Sequence, residues 1–462
     1  MAVPQSVVVE LQRKLGPFDA AAIVISNVIG GGIFFVPVIV AQLVPGAGAM
    51  LGVWIFGGAL AFAGAMAYAE LAALRPRAGG EYVYLRDAFG PLAAFLTGWT
   101  SFIAGFSGAI AASATALAGY LGRFIPAAGD PTPLVHVPGL EISSKALFAL
   151  LVIALLTLVH VRGLGPGRLV QNVLAGLKVS AIVALVAIGF AGGHGSAAHF
   201  ASTATPPAAW MLALVPVMFS YSGWNAAAYV AEEVREPGRN VPLALAIGTI
   251  TVVALYVALN ALYVFAFPVA DLARLPGGRL MDAVAQQLFG FFAGNLLALF
   301  TIVGIAASIS AMVLAGPRVY YAMARDGLFV PAAARVDPRY HTPAAAIVAQ
   351  GIWSGVLVLS GSLSQLVTYT GFAVVLFSGF AVAALFVLRR RRPSDERPFS
   401  AWGYPWAPGI FIVASAVIVL NEIWRDPATS AAGLGLIAAG IPVYVAIRWR
   451  AKRLVLATRR AL

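Results

Sequence analysis

The sequence predicts an all-α polytopic membrane protein with twelve transmembrane helices, and three observations predict it. Of 462 residues, 61% are hydrophobic and only 10% are charged, with a mean hydropathy of +0.89. Soluble globular domains do not have that composition. Twelve apolar runs are each long enough to cross ~30 Å of hydrocarbon at about 1.5 Å per residue. Two of them, the first and the sixth, are interrupted near their middles by glycines and small polar residues.

The runs fall at 18–44, 50–74, 89–120, 144–161, 169–190, 210–230, 241–267, 291–320, 343–359, 366–388, 403–423 and 428–447. The first ten divide into two halves of five, 18–190 and 210–388, and two more follow over 403–447. Residues 18–447 therefore read as one transmembrane domain between a cytoplasmic tail, 1–17, and a basic cytoplasmic tail, 448–462. No long soluble segment separates the runs, so no ATPase or catalytic appendage is expected. Arg13 and Lys14 precede the first run with no cleavage site after a short apolar core, which reads as a tail and not a signal peptide.

An even number of spans puts both termini on one side, and positive charge says which. With the N-terminus inside, cytoplasmic segments hold 24 of the Lys and Arg residues, against five outside: Arg123, Lys145, Arg274, Arg279 and Arg425. That asymmetry orients the chain in an inner or plasma membrane with both termini cytoplasmic. The basic runs 389–392 and 448–460 are orientation signals and contacts to lipid headgroups, not nucleic-acid sites. The chain has no cysteine, which excludes disulfides, thiolate metal sites and covalent tethering to a partner subunit by a disulfide.

The first break lies in Ser26-Asn27-Val28-Ile29-Gly30-Gly31-Gly32-Ile33-Phe34. Gly30 is roughly 18 Å from Phe18 along a helix, near the bilayer midplane. A helix broken there leaves N–H groups unpaired on one side and C=O groups on the other, and neither can face lipid. The N–H end favours an anion and the C=O end a cation, the charge pattern of a zwitterion. For one glycine run alone, close helix packing is an equal alternative. The sixth run repeats the interruption in Val217-Met218-Phe219-Ser220-Tyr221-Ser222-Gly223-Trp224-Asn225, roughly 15 Å from Trp210. Paired broken helices in corresponding positions of two halves point to a transporter's substrate site.

On these residues the chain resembles the amino acid-polyamine-organocation superfamily, most closely its L-amino-acid transporter branch. Ile29-Gly30-Gly31-Gly32-Ile33-Phe34 is similar to the superfamily's Gly-Ser/Ala-Gly-Ile-Phe signature. The run from Phe219 to Asn225, with Glu232-Glu233, Pro237, Asn240 and Pro242, resembles the branch's Tyr-x-Gly-Trp-Asn and Glu-Glu pattern. Arg318, Tyr321, Arg325-Asp326-Gly327, Pro331 and Thr342-Pro343-Ala344 resemble its signature after the eighth helix. The resemblance implies the leucine-transporter fold, a 5+5 inverted repeat plus two peripheral helices, and alternating access. It also implies a substrate carboxylate on the N–H groups of Gly31 and Gly32 beside Gly30, and its amine on the carbonyls of Val28, Phe219 and Ser222. Phe219 falls at an aromatic gate, although a core aromatic is an equal reading. Asn225 falls where some relatives carry a carboxylate for basic substrates, so neutral L-amino acids are expected over arginine or polyamines. Glu70, Glu232 and Glu233 are expected at cytoplasmic helix ends, paired with Arg75, Arg235 or Arg239.

Lys178 is the one charge inside a span, about ten residues from Arg168 and too deep to snorkel. It should face the bundle interior and a partner, unless the helix starts later and makes it an interfacial anchor. Sodium-independent members of the superfamily carry such a lysine where a structural sodium would sit. The resemblance would place it on carbonyls near Ser26 and on Ser308 or Ser310. Tyr256 falls where the branch has a tyrosine beside the substrate; a nearby backbone carbonyl would satisfy it equally.

Histidines 136, 160, 194, 199 and 341 lie in loops or at span ends, and no carboxylate is mid-span. An intramembrane enzyme, a metal site or a cofactor is therefore not expected. A channel would want a continuous polar lining, whereas the polar groups here gather at two breaks. Exchange, uniport and proton symport all remain open for coupling, and sodium coupling is disfavoured by Lys178.

Overall fold

The structure, a computed structural model, describes residues 10–461 except 138–139, 202–203, 277–279, 291–292 and 361–362. Residues 1–9 of the N-terminal tail, Arg279 and residue 462 lie outside the described residues. Helix makes up 78% of it. The strands among the described residues are one antiparallel hairpin, β1 (Pro133–Val137) with β2 (Leu140–Ser143). Hydrocarbon enforces this, because a helix satisfies its own backbone without water.

The first run forms α1 (Pro17–Val28) and α2 (Val36–Leu43), parted by the glycines and a 3₁₀ turn at Gly32–Phe34. α3 (Ala47–Leu74) follows, then α4 (Glu81–Phe89) and α5 (Pro91–Thr100), separated at Gly90. α5 passes through a π-helical stretch, Ser101–Gly105, into α6 (Phe106–Leu121). The one-turn α7 (Pro126–Gly129) and the hairpin lead to α8 (Ser144–Val161) and α9 (Leu164–Gly192). The sixth run breaks into α10 (Pro207–Ser220) and the single turn α11 (Ala226–Tyr229). Then come α12 (Pro237–Ala266), α13 (Val269–Leu272), α14 (Leu280–Phe289), α15 (Ala293–Arg325), α16 (Ala344–Leu359), α17 (Leu363–Arg391), α18 (Trp406–Arg425), α19 (Pro427–Ala438) and α20 (Gly440–Ala461).

By length and composition, nine helical segments among the described residues can cross a membrane: α3, α5–α6, α8, α9, α12, α15, α17 from Ala373, α18 and α19–α20 to Ala451. α1, α10 and α16 are apolar but shorter. Two of these three are short because they are the first halves of the broken runs. The segments 75–88 and 268–290 read as loops, yet they contain α4 and α14; neither is apolar enough for hydropathy to mark it. α9 begins at Leu164, five residues earlier than its apolar run, which puts Lys178 in the middle of a 29-residue helix.

α1 packs against α9, α12 and α15, while α10 packs against α2 and α3 and α11 against α1, α12 and α15. The two breaks are thereby enclosed by longer, unbroken helices. Outward faces carry exposed apolar residues such as Leu151 and Leu155 on α8, Leu169 and Ile188 on α9, and Ile352 on α16. A belt of that kind needs lipid around it.

The acidic residues at helix ends choose different partners from those expected. Glu70 pairs with Arg389 and Arg397 and accepts the Ala401 N–H at 2.7 Å. Glu232 pairs with Arg325 at 3.1 Å and accepts the Ala78 N–H. Glu233 forms a two-pronged pair with Arg318, at 2.7 and 3.0 Å, with both side chains at most 1% exposed. Arg75 instead meets Asp87 and Asp395. The expected pairs were neighbours in sequence, whereas these join distant segments that tertiary packing brings together.

Candidate functional site

The glycines end α1 because they leave its last turn without a successor. Gly30 N–H turns back to the Val28 carbonyl at 2.7 Å, and the chain resumes as a 3₁₀ turn. Gly31 and Gly32 N–H groups make no hydrogen bond with any described residue. The second break closes in the same region. Gly223 has φ +97°, and a Cβ there would lie 2.6 Å from Asn27 Nδ2 and 3.2 Å from the Asn27 backbone. Only glycine fits, on both conformation and space. Asn27 Nδ2 donates to the Gly223 carbonyl at 3.3 Å, so the two breaks touch.

Both open on one cavity of about 220 Å³. Its lining includes Asn27, Val28 and Gly30–Gly32 from the first break and Phe219, Ser220, Ser222, Gly223 and Asn225 from the second. α5–α6 adds Thr97, Thr100, Ser101, Gly105, Phe106, Ala109 and Ser113, and α15 adds Ser308 and Met312. Phe219 is 36% exposed, high for a large aromatic between helices, because its ring borders this opening. Ser222 has its carbonyl unpaired among the described residues. Asn225 is buried and donates to the Tyr229 hydroxyl at 3.2 Å. Asn27 Oδ1 and Ser220 Oγ are buried in the lining with no partner in the protein, as polar groups awaiting a ligand or water would be. Among the described residues, no group of three or more His, Asp or Glu side chains converges as metal ligands.

Two expected site residues stand elsewhere. Tyr256 is fully buried and outside the lining; its hydroxyl reaches the Val28 carbonyl at 2.9 Å and the Ser220 carbonyl at 3.2 Å. It braces the two breaks from behind. The Val28 carbonyl, accepting from both Tyr256 and Gly30, has both lone pairs engaged. Ser310 meets His160 Nε2 at 2.9 Å and not Lys178. Positions 308 and 310 differ by about 200° around a helix, so one of them had to face away.

Lys178 is 3% exposed. Its ammonium donates to the Ser26 carbonyl at 3.2 Å, to Ser308 Oγ at 3.0 Å, and to the Ile29 carbonyl. Ser308 Oγ in turn donates to the Ile29 carbonyl at 2.8 Å. One cation therefore ties α9, the broken end of α1 and α15. It satisfies carbonyls that the break releases, and they offset its desolvation.

Sequence reasoning missed Glu81. It lines the cavity, although no carboxylate was expected near the site. Gly79 and Gly80, at φ +111° and +52°, fold the start of α4 back so that Gly79 N–H donates to the Tyr229 carbonyl at 3.1 Å. Paired glycines before an acidic helix start were the available signal.

A profile described as amino acid permease matches residues 15–447. The chain is 28% identical to the mouse (Mus musculus) b(0,+)-type amino acid transporter 1, over 90% of this chain and 84% of that protein. It is 28% identical to the human (Homo sapiens) large neutral amino acids transporter small subunit 2, over 96% of this chain and 82% of that protein. A mouse Asc-type amino acid transporter 1 matches at 28%, over 96% and 83%. The family and these relatives are transporters and not enzymes. With the profile covering nearly the whole chain, this integral membrane protein belongs to the amino acid permease family of the amino acid-polyamine-organocation superfamily.

Proposed function

We propose that this permease moves neutral L-amino acids across the membrane by alternating access, as a secondary transporter independent of sodium. The observation that carries the reading is the meeting of two broken helices on one cavity, with free N–H groups at Gly31 and Gly32 and a free carbonyl at Ser222. A zwitterion needs that pair of charges and little else from the backbone. The substrate carboxylate sits on Gly31 and Gly32. Because the Val28 carbonyl accepts from Tyr256 and Gly30 and the Phe219 carbonyl accepts the Ser222 N–H at 3.0 Å, the amine falls to the Ser222 carbonyl, with the Phe219 ring closing over it.

The same reading takes the fold as twelve spans in a 5+5 inverted repeat with two peripheral helices, the leucine-transporter fold, with both termini cytoplasmic. Support comes from a helix in each of the twelve apolar runs and from the correspondence of the first and sixth. Cationic amino acids are a second reading, favoured by Glu81 in the lining and by the name of the b(0,+)-type relative. A thermal-shift screen of the twenty amino acids on purified protein separates them. Leucine-like substrates should raise the melting temperature and arginine should not; a shift from arginine alone would overturn the neutral reading.

Gly31 offers the sharper mutational test. A Cβ at Gly31 meets nothing within 4 Å, whereas one at Gly32 meets Ser220 Oγ at 3.0 Å. Gly31→Val should therefore fold and insert as the parent does, yet lose uptake to background, because its methyls stand over the N–H groups. Near-parental affinity in that variant would assign the glycines to packing alone.

A further inference from the structure

Glu81 is the only carboxylate among the described lining residues, and it is distinguished by its neighbours. Tyr68 of α3 donates to Oε2 at 2.8 Å and Thr97 of α5 to Oε1 at 3.4 Å, while the Tyr229 hydroxyl lies beside them. All are neutral. No Lys, Arg or His among the described residues comes within 4.0 Å, unlike the neighbouring Glu70, Glu232 and Glu233, each held by arginine. The charged groups on the elements packed around Glu81 are engaged elsewhere. On α17, Arg389 is on Glu70 and Arg391 on the Ala88 carbonyl. On α15, Arg318 is on Glu233 and Arg325 on Glu232, and Asp326 just beyond it accepts from Arg86 and Tyr82. Asp87, on α4 itself, faces Arg75 and Arg86, and Tyr84 contributes only a neutral hydroxyl.

A carboxylate enclosed by hydroxyls and lacking a cation is costly to keep ionised. Burial raises the Glu81 pKa above its ordinary value, and the hydrogen bonds from Tyr68, Tyr229 and Thr97 offset only part of that rise. The tyrosines around it, Tyr68, Tyr84 and Tyr229, are all buried and form a closed floor. The bond from Gly79 N–H to the Tyr229 carbonyl joins the two sides of that floor.

We propose that Glu81 is a proton-binding site on the cytoplasmic floor of the cavity, and that its proton travels with the amino acid. The proposal rests on the transport reading above. With the floor closed, the carboxyl takes a proton from water in the cavity. When α11 parts from the start of α4, Tyr229 withdraws, cytoplasmic water reaches Glu81, and the proton leaves to that water. The group that binds the proton therefore reports whether the floor is open, which couples proton movement to the change of access. Lys178, held by three acceptors and outside the lining, stays fixed through this step.

The test uses the full-length protein in sodium-free proteoliposomes with labelled L-leucine. A proton gradient of one pH unit, acid outside, should raise accumulation up to about tenfold, the limit for one proton per substrate. Glu81→Gln should accumulate no more with the gradient than without it, and its counterflow should lose its pH dependence. Glu81→Asp should keep the gradient response. A parent indifferent to the gradient, or a Glu81→Gln protein still driven by it, would overturn the proposal. Arginine uptake that vanishes in Glu81→Gln while gradients have no effect would make Glu81 a substrate counter-charge instead, and equally overturn it. A second readout needs no transport. An apolar carbodiimide reacts with protonated carboxyl groups, so peptide mass spectrometry at about pH 7 should find Glu81 modified and the arginine-paired Glu70 and Glu233 spared. An unmodified Glu81 would sink the proton site even if leucine is carried. If none of the twenty amino acids moves, the transport reading fails while Glu81 labelling still decides the site.

Discussion

Arg318→Met should lower stability by about 3–5 kcal/mol and abolish transport, because it strands Glu233 as an unpaired buried charge. The pair is two-pronged, at 2.7 and 3.0 Å, and almost without solvent. It also carries more than itself. Glu233 sits where Leu15 N–H donates to the Glu233 carbonyl at 3.0 Å and Arg235 N–H to the Leu15 carbonyl at 2.9 Å. Arg318 therefore holds the end of the sixth run and the start of the first against α15 together. Thermal unfolding in detergent measures the first effect and proteoliposome uptake the second. The double variant Arg318→Met/Glu233→Met should recover most of the stability, since two apolar side chains leave no unpaired charge. Uptake should stay impaired if the ion pair must break and re-form in the cycle. A single variant within about 1 kcal/mol of the parent would show that the pair behaves as an ordinary surface bridge.

Lys178→Ala is expected to be as severe. It removes three charge-assisted hydrogen bonds, of which even one is worth about 1.5–3 kcal/mol, and leaves the Ser26 carbonyl without its donor. About 3 kcal/mol against the competent arrangement is about 100-fold in its population. Uptake should fall accordingly. Lys178→Met, which keeps the volume without the charge, should fare little better, and that separates charge from packing. The parent should transport equally in sodium and in choline buffers. Uptake that requires sodium would remove the role of Lys178 as a fixed cation between α1 and α15.

What was legible in the sequence was whatever depends on chain-local chemistry. Three consecutive glycines at mid-membrane depth weaken a helix and a second such break repeats in the sixth run, while a lysine in a long apolar run must find oxygen acceptors, so Gly30–Gly32 and Lys178 stood out without any knowledge of packing. Whatever depends on rotation or distance along the chain was not legible. Ser308 and Ser310 look alike in sequence, yet helix phase sends one to Lys178 and the other to His160. Glu70 finds Arg389 more than three hundred residues away while the adjacent Arg75 turns to aspartates. Glu81 was counted with a cytoplasmic loop because its segment is polar. Only the fold back through Gly79 and Gly80 carries it to the cavity.

The π-helical stretch at Ser101–Gly105 sets how the cavity wall can vary. Thr97 and Ser113 both line the cavity although sixteen residues separate them. In an unbroken α-helix they would lie about 160° apart, on nearly opposite sides. The bulge absorbs one extra residue, worth about 100° of rotation, and brings both ends of the span round to the same face. The identity of the wall is thus written in residue count as well as residue type. A one-residue deletion there would remove the bulge and swing one end of the span by about 100° relative to the other, carrying that end's lining side chains off the cavity face. In this chain a change of length inside the span remodels the pocket as surely as a change of side chain.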